Sequence, residues 1–254
     1  MATTNTERSA RTGARVCLAA ASHGFSLVEL AIAIFVITLL LGSILVPLST
    51  QVEQRKTSET QKTLDEIKEA LLGYALANGY LPCPAISATD GSEDRPGPGA
   101  CTGGKRQGFL PWATLGTSKL DSWGHIFRYS VTPAFTNSTT LFTLSTARDI
   151  SIRTRDATGA VVNLSNANDI PVVTFSVGRN GNWGTLDGGT TVGDLSATNA
   201  DEDTNNDGGG NGRVYFSRTT TDNTAATGGE FDDIVVWLST SVLLNRMVAA
   251  GRLP

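Results

Sequence analysis

Residues 25–46 form a long apolar run carrying a single charge, Glu29, close to its start. A bilayer core asks for roughly 20 apolar residues, so this run is long enough to span one as a helix. A carboxylate inside such a span costs on the order of a few kcal/mol and marks a functional position. No Lys, Arg or His lies between Phe25 and Arg55, so Glu29 has no cationic side chain within its own span. A positive charge would arise if the chain were cut after Gly24, because Phe25 would then present a free α-amine one helical turn from the carboxylate.

Other membrane signals do not fit. A secretory signal peptide needs an apolar core of about 7–15 residues before its cleavage site, and Val16 to Ala21 is too short. A lipoprotein signal needs apolar residues before Cys17, and Ala14-Arg15-Val16 has the wrong pattern, so Cys17 is expected to leave with the leader. Arg8, Arg11 and Arg15 precede the run, opposed only by Glu7. Positive flanks stay cytoplasmic, which places the remainder of the chain outside the cytoplasm. The formal net charge is −4. It becomes more negative without the arginine-rich leader, and this argues against a non-specific nucleic-acid partner, which needs a basic surface.

Gly24-Phe25-Ser26-Leu27-Val28-Glu29-Leu30 closely resembles the processing signature of type IV pilins and the pseudopilins of type II secretion. The resemblance is specific, since glycine, aromatic residue, glutamate offset and apolar run coincide. It implies a prepilin peptidase of the inner membrane that cuts after Gly24 and methylates the new N-terminus at Phe25. It further implies that Glu29, fifth in the mature chain, meets the N-terminus of a neighbouring pilin or pseudopilin subunit in a filament.

Beyond the apolar run the helix is expected to continue to Asn78, with a kink at or before Pro47. Val52, Leu64, Ile67, Leu71 and Ala75 fall near one face. Asn78-Gly79 supplies a stop, and Pro82 and Pro84 forbid continuation. A helix over 25–78 would be about 80 Å long at ~1.5 Å per residue. From residue 80 the texture turns to Gly, Thr, Asn and Asp with short β-rich runs at 126–132, 141–145, 150–155, 160–164, 172–177, 214–217 and 233–238. A closing amphipathic helix is expected over 241–251, burying Leu243, Leu244, Met247 and Val248. Residues 198–212 and 219–229 read as loops. The expected plan is α+β, a long N-terminal helix packed on a mostly antiparallel sheet. It divides into a leader (1–24), a membrane half (25–46), a periplasmic half (47–79) and a β-rich globular domain (80–254).

Cys83 and Cys101 flank a Gly/Pro-rich stretch. In an oxidising compartment they are expected to pair, at a gain of about 3 kcal/mol from loop closure; two cysteines without a histidine nearby make a poor zinc set. Asp201-Glu202-Asp203-Thr204-Asn205-Asn206-Asp207-Gly208 places oxygen donors at alternate positions 201, 203, 205 and 207. A hard cation such as calcium takes 6–8 oxygen ligands, which such a loop could supply. The match to an EF-hand is incomplete, since Asn206 stands where glycine is required and no closing glutamate follows. An acidic solvated loop is the alternative.

Asp121-Ser122-Trp123-Gly124-His125-Ile126-Phe127-Arg128-Tyr129 resembles a turn and strand of major pseudopilins. Val177-Gly178-Arg179-Asn180-Gly181 and Phe231-Asp232-Asp233-Ile234 are similar to the two ends of that family's calcium-binding region, which adds Asp232 to the candidate ligands. Trp112, Trp123, Trp183 and Trp237 read as core and turn packing. No Gly-x-Ser-x-Gly elbow, His-Glu-x-x-His helix or phosphate loop is present, so no enzyme activity is expected. The reading is a structural filament subunit, minor rather than major because the mature chain is long. A pilus-tip adhesin and a membrane-anchored periplasmic enzyme are its rivals.

Overall fold

The computed structural model describes residue 24 and residues 26–253, without the side chains of residues 41 and 43–48. The leader and Phe25, and with them the cleavage junction, lie outside the described residues. The chain divides into two compact units, residues 1–50 and residues 51–254. The first helix, α1 (Leu27–Asn78), contributes to both.

In the first unit Ser26 opens α1: its Oγ accepts from the Glu29 backbone N–H at 3.2 Å, and its carbonyl accepts from Leu30 N–H at 3.1 Å. Glu29 thereby sits in the first turn, where the positive end of the helix dipole favours a carboxylate. The apolar side chains over 27–40, Ile32, Phe35 and Leu39 among them, are exposed. Among the described residues no helix is long and apolar enough to cross a membrane. The expected span over 25–46 lies partly outside them, because the apolar run continues through side chains that are not described. α1 runs on through Pro47.

The second unit begins with the remainder of α1. Thr60, Leu64, Ile67, Leu71, Leu72 and Ala75 are buried, whereas Val52, expected on the same stripe, is exposed. The helix ends as its sequence implies. Gly79 adopts φ 86° and donates to the Ala75 carbonyl at 2.7 Å, and Arg252 donates to the otherwise orphaned carbonyls of Leu76 and Ala77.

Among the described residues seven strands follow: β1 (Gln107–Phe109), β2 (Arg128–Val131), β3 (Ser151–Arg155), β4 (Val161–Asn163), β5 (Val172–Ser176), β6 (Val214–Phe216) and β7 (Ile234–Leu238). Three further helices are α2 (Trp112–Leu115), α3 (Ala200–Asp207) and α4 (Thr240–Ala249). The main sheet has the order β1-β2-β5-β7 and is antiparallel throughout. A second sheet, β4-β3-β6, pairs β3 with β4 antiparallel and with β6 parallel. The fold is therefore α+β.

The main sheet is covered on both faces. One carries Phe127, Tyr129, Val131, Val172, Val236 and Leu238 against Leu64, Ile67 and Leu71 of α1 and Leu243 and Met247 of α4. The other carries Val173, Phe175 and Val235 against Ile150, Ile152 and Tyr215 of the second sheet. Double coverage explains why β5 lacks a clean polar alternation: all five of its residues are buried. Cys83 and Cys101 form a disulfide. Nearby, the Tyr129 hydroxyl donates to the Pro82 carbonyl at 2.9 Å, fastening the segment after α1 to the sheet.

Several expectations need correction. Residues 141–145 are not a strand; Phe142 instead stacks on Phe135 with ring centroids 4.7 Å apart. Strand β1 was not anticipated. Residues 198–212 are not a loop but contain α3 followed by a glycine-rich turn. Val248 of α4 is exposed.

Replacing the fully buried Leu71 by alanine should destabilise the fold by about 2–5 kcal/mol through lost burial and a cavity. Denaturant unfolding of the full chain in detergent measures this, and a loss under about 1 kcal/mol would mean the helix is not docked there.

Candidate metal centre

Glu202, Asp232 and Asp233 each offer a carboxylate oxygen, and the three oxygens lie within 4.8 Å of one another. Glu202 stands in the first turn of α3, whose Asp201, Glu202 and Asp203 all favour the helix N-terminus. Gly208, in the left-handed conformation, ends that helix, and the Asp207 carboxylate caps the turn beyond by accepting from Gly210 N–H at 2.8 Å. Asp232 and Asp233 precede β7, outside regular strand geometry, so both carboxylates reach the same centre. This departs from the opposed faces that two consecutive strand residues would have.

The Glu202 side chain is held without a cationic partner among the described residues. Its Oε1 accepts from Asn180 Nδ2 at 3.0 Å and from the Asp232 backbone N–H at 2.8 Å. Its Oε2 accepts from Asn180, Asn182 and Asn199 side-chain amides at 3.0, 2.9 and 3.3 Å. Asp232 Oδ2 accepts from Asn180 N–H at 2.9 Å, whereas its Oδ1 is buried without a hydrogen-bond partner. A Cβ on Gly178 would come within 2.2 Å of that oxygen. Asp233 Oδ2 accepts from Asn205 Nδ2 at 2.8 Å.

These surroundings disfavour ionisation. Burial pushes the Asp232 carboxyl up to about 7, opposed by the Asn180 hydrogen bond and reinforced by the charge on Glu202. Burial pushes Asp233 well above the usual carboxylate range, with Glu202 again adding to the effect. Without a cation, the centre relieves its repulsion by taking up protons.

The donor set suits a hard cation: all three side chains offer oxygen, and Asp232 Oδ1 lacks a partner. Glu202 is the least available of the three, since its oxygens already accept from amides. A cleft of about 240 Å³, lined by Glu53, Trp123, Arg179, Thr221 and Asp222 among others, reaches Asp232. Trp123 Nε1 donates across it to Glu53 Oε2 at 3.0 Å.

Of the five ligands expected from sequence, only Asp232 joins this centre. Asp201 is ion-paired to Arg155 and Arg218. Asp203 accepts from Trp183 Nε1 at 2.7 Å. Asn205 bonds Phe216 backbone through both ends of its amide and steadies Asp233. Asp207 serves as the turn cap. The reason is geometric: alternate residues of an α-helix project about 200° apart, so positions 201, 203, 205 and 207 cannot encircle one ion. Glu202 and Asp233 were missed as ligands. The acidic first turn followed by Gly208 was the available sign that this segment is helical.

The Asp121 turn is a separate structure. Asp121 Oδ1 accepts from Trp123 N–H and His125 N–H, each at 2.9 Å, and its Oδ2 accepts from Ser176 Oγ at 2.6 Å. His125 Nδ1 lies 3.6 Å from the same carboxylate. Serine and histidine thus flank the aspartate rather than each other, an arrangement without a base positioned on a nucleophile.

Comparison with protein-family models, with curated proteins and with solved structures gives no match to this chain.

The raised Asp232 and Asp233 values have a definite sign. The folded state holds their protons where the unfolded chain has released them; the contribution of Asp232 is full below about pH 4 and is lost as pH rises through about 7, and that of Asp233 has the same sign. In chelator, the full chain should melt at a higher temperature at pH 5 than at pH 8, and Asp232→Asn should flatten that dependence. Equal slopes for wild type and variant would remove Asp232 as a source.

Proposed function

We propose that the chain is a pilin-like filament subunit, anchored once in the inner membrane with its leader cytoplasmic, processed after Gly24 and polymerised through α1. The observation that carries this reading is Glu29, the lone charge in the apolar run, placed in the first turn of a helix whose apolar side chains over 27–40 are exposed. A structural unit has no use for so large an unpartnered apolar surface in water. Lipid accounts for it before assembly, and neighbouring helices account for it afterwards. Apolar contacts between helices in such an environment discriminate poorly, so a single charge pair, Glu29 with the Phe25 amine of a neighbour, would set register.

The partners implied are a prepilin peptidase and other pilin or pseudopilin subunits, with the processed subunit exposed to the periplasm or the exterior. The second unit supports the same reading through a helix docked on an antiparallel sheet. Its acidic centre takes calcium in this account. Glu202, Asp232 and Asp233 would hold the ion, and binding only the folded form would stabilise the segments that carry them.

Protein purified from cells holding the peptidase should begin at Phe25 on N-terminal sequencing, and Gly24→Ala should block processing. An unprocessed chain in those cells contradicts the assignment. Glu29→Val should leave a membrane-inserted, processed subunit that enters filaments poorly, as quantified in sheared filament fractions. Calcium should raise the melting temperature of the full chain in detergent relative to chelator; identical melts would leave the centre as a proton-balanced acidic cluster.

A further inference from the structure

We propose that the Arg155–Asp201–Arg218 ion-pair knot is the positioning element that aims Glu202 at Asp232 and Asp233; this inference rests on the calcium reading above. Asp201 is essentially fully buried. Arg155 grips it with a two-point fork, Nε to Oδ2 at 2.8 Å and Nη2 to Oδ1 at 2.7 Å. Arg218 Nε lies 2.8 Å from the same Oδ2 as an ion pair. One carboxylate thereby joins the end of β3, the start of the segment after β6, and the start of α3.

The two arginines are themselves fixed. The Arg155 guanidinium lies over the Phe216 ring at 5.5 Å and that of Arg218 over the Phe231 ring at 4.7 Å. Arg218 Nη2 also donates to the Gly229 carbonyl at 2.7 Å. Phe231 immediately precedes Asp232, so the knot touches both halves of the acidic centre. Glycine is needed where the loop closes on it: Gly228 has φ 88°, and a Cβ there would meet Asp201 Oδ2 at 2.1 Å.

Successive residues of a helix project about 100° apart. With Asp201 locked towards the arginines, α3 cannot turn about its axis, and Glu202 is left pointing to the other side. There the amides of Asn180, Asn182 and Asn199 receive it. Adjacent acidic residues thus have divided roles: Asp201 takes no ligand and sets the rotation, while Glu202 supplies negative charge to the centre. A merely structural ion pair would hold the fold together without affecting how well the folded protein binds a cation.

The test is calorimetric titration of the full chain in detergent with calcium chloride, for wild type, Asp201→Asn, Arg218→Gln and Arg218→Lys. Near-UV circular dichroism establishes that each is folded at the titration temperature. Asp201→Asn and Arg218→Gln should bind calcium about 10–100-fold more weakly, a loss of the size seen when the groups that orient a metal ligand are disturbed, and Arg218→Lys should recover part of it. If Asp201→Asn fails to fold, Arg218→Gln decides the matter, since the Arg155 fork remains. Folded variants with the wild-type dissociation constant would overturn the positioning role and leave the calcium reading standing. A wild-type chain that binds no calcium would overturn both.

Discussion

The apolar seam between the second part of α1 and one face of the main sheet is the constraint on which the rest of the second unit depends. Leu64, Ile67, Leu71 and Ala75 repeat at helical spacing and are sealed against Phe127, Tyr129 and Val131. Burying a side chain of that size is worth roughly 1.5–3 kcal/mol, so the seam outweighs any single polar contact in the molecule. It also decides where the polar chemistry can go. With one face of the sheet taken by α1 and α4 and the other by the second sheet, the carboxylates are left to the ends of strands and the first turn of α3.

Those carboxylates are compensated in three different ways. Asp201 is neutralised by two guanidiniums, Asp121 organises a turn by accepting backbone N–H groups, and Glu202 is received by side-chain amides. Asp232 and Asp233 complete the series with incomplete compensation, which is why their protonation is favoured. An incompletely compensated pair beside a saturated one is a place where an added charge would alter stability, and that separates this centre from an ordinary acidic surface.

The parts of the fold legible in sequence were those set by local pattern. The stop at Asn78-Gly79 follows from glycine's access to positive φ, and the alternation of Ser151-Ile152-Arg153-Thr154-Arg155 marked a strand, although Ser151 and Ile152 are both buried rather than alternating. The parts that were not legible are set by partners far along the chain. Segment 200–207 has almost no apolar residue, so its periodicity gave no helix signal; burial of its Asp201 depends on Arg155 and Arg218. β1 is three residues long and contains a glycine, and it exists because β2 offers an edge. The same distance dependence hid the acidic centre: Glu202 meets Asp232 and Asp233 across a loop whose closure no local pattern announces.

The central claim, that the exposed apolar part of α1 is an assembly surface, is tested most directly by photo-crosslinking from Phe35. A photoreactive amino acid at that position, in cells holding the peptidase and the filament machinery, should give covalent adducts to the N-terminal helix of another pilin-like subunit. These should disappear when assembly is blocked. Adducts to lipid alone, from a chain that is processed and present in the filament fraction, would contradict the claim.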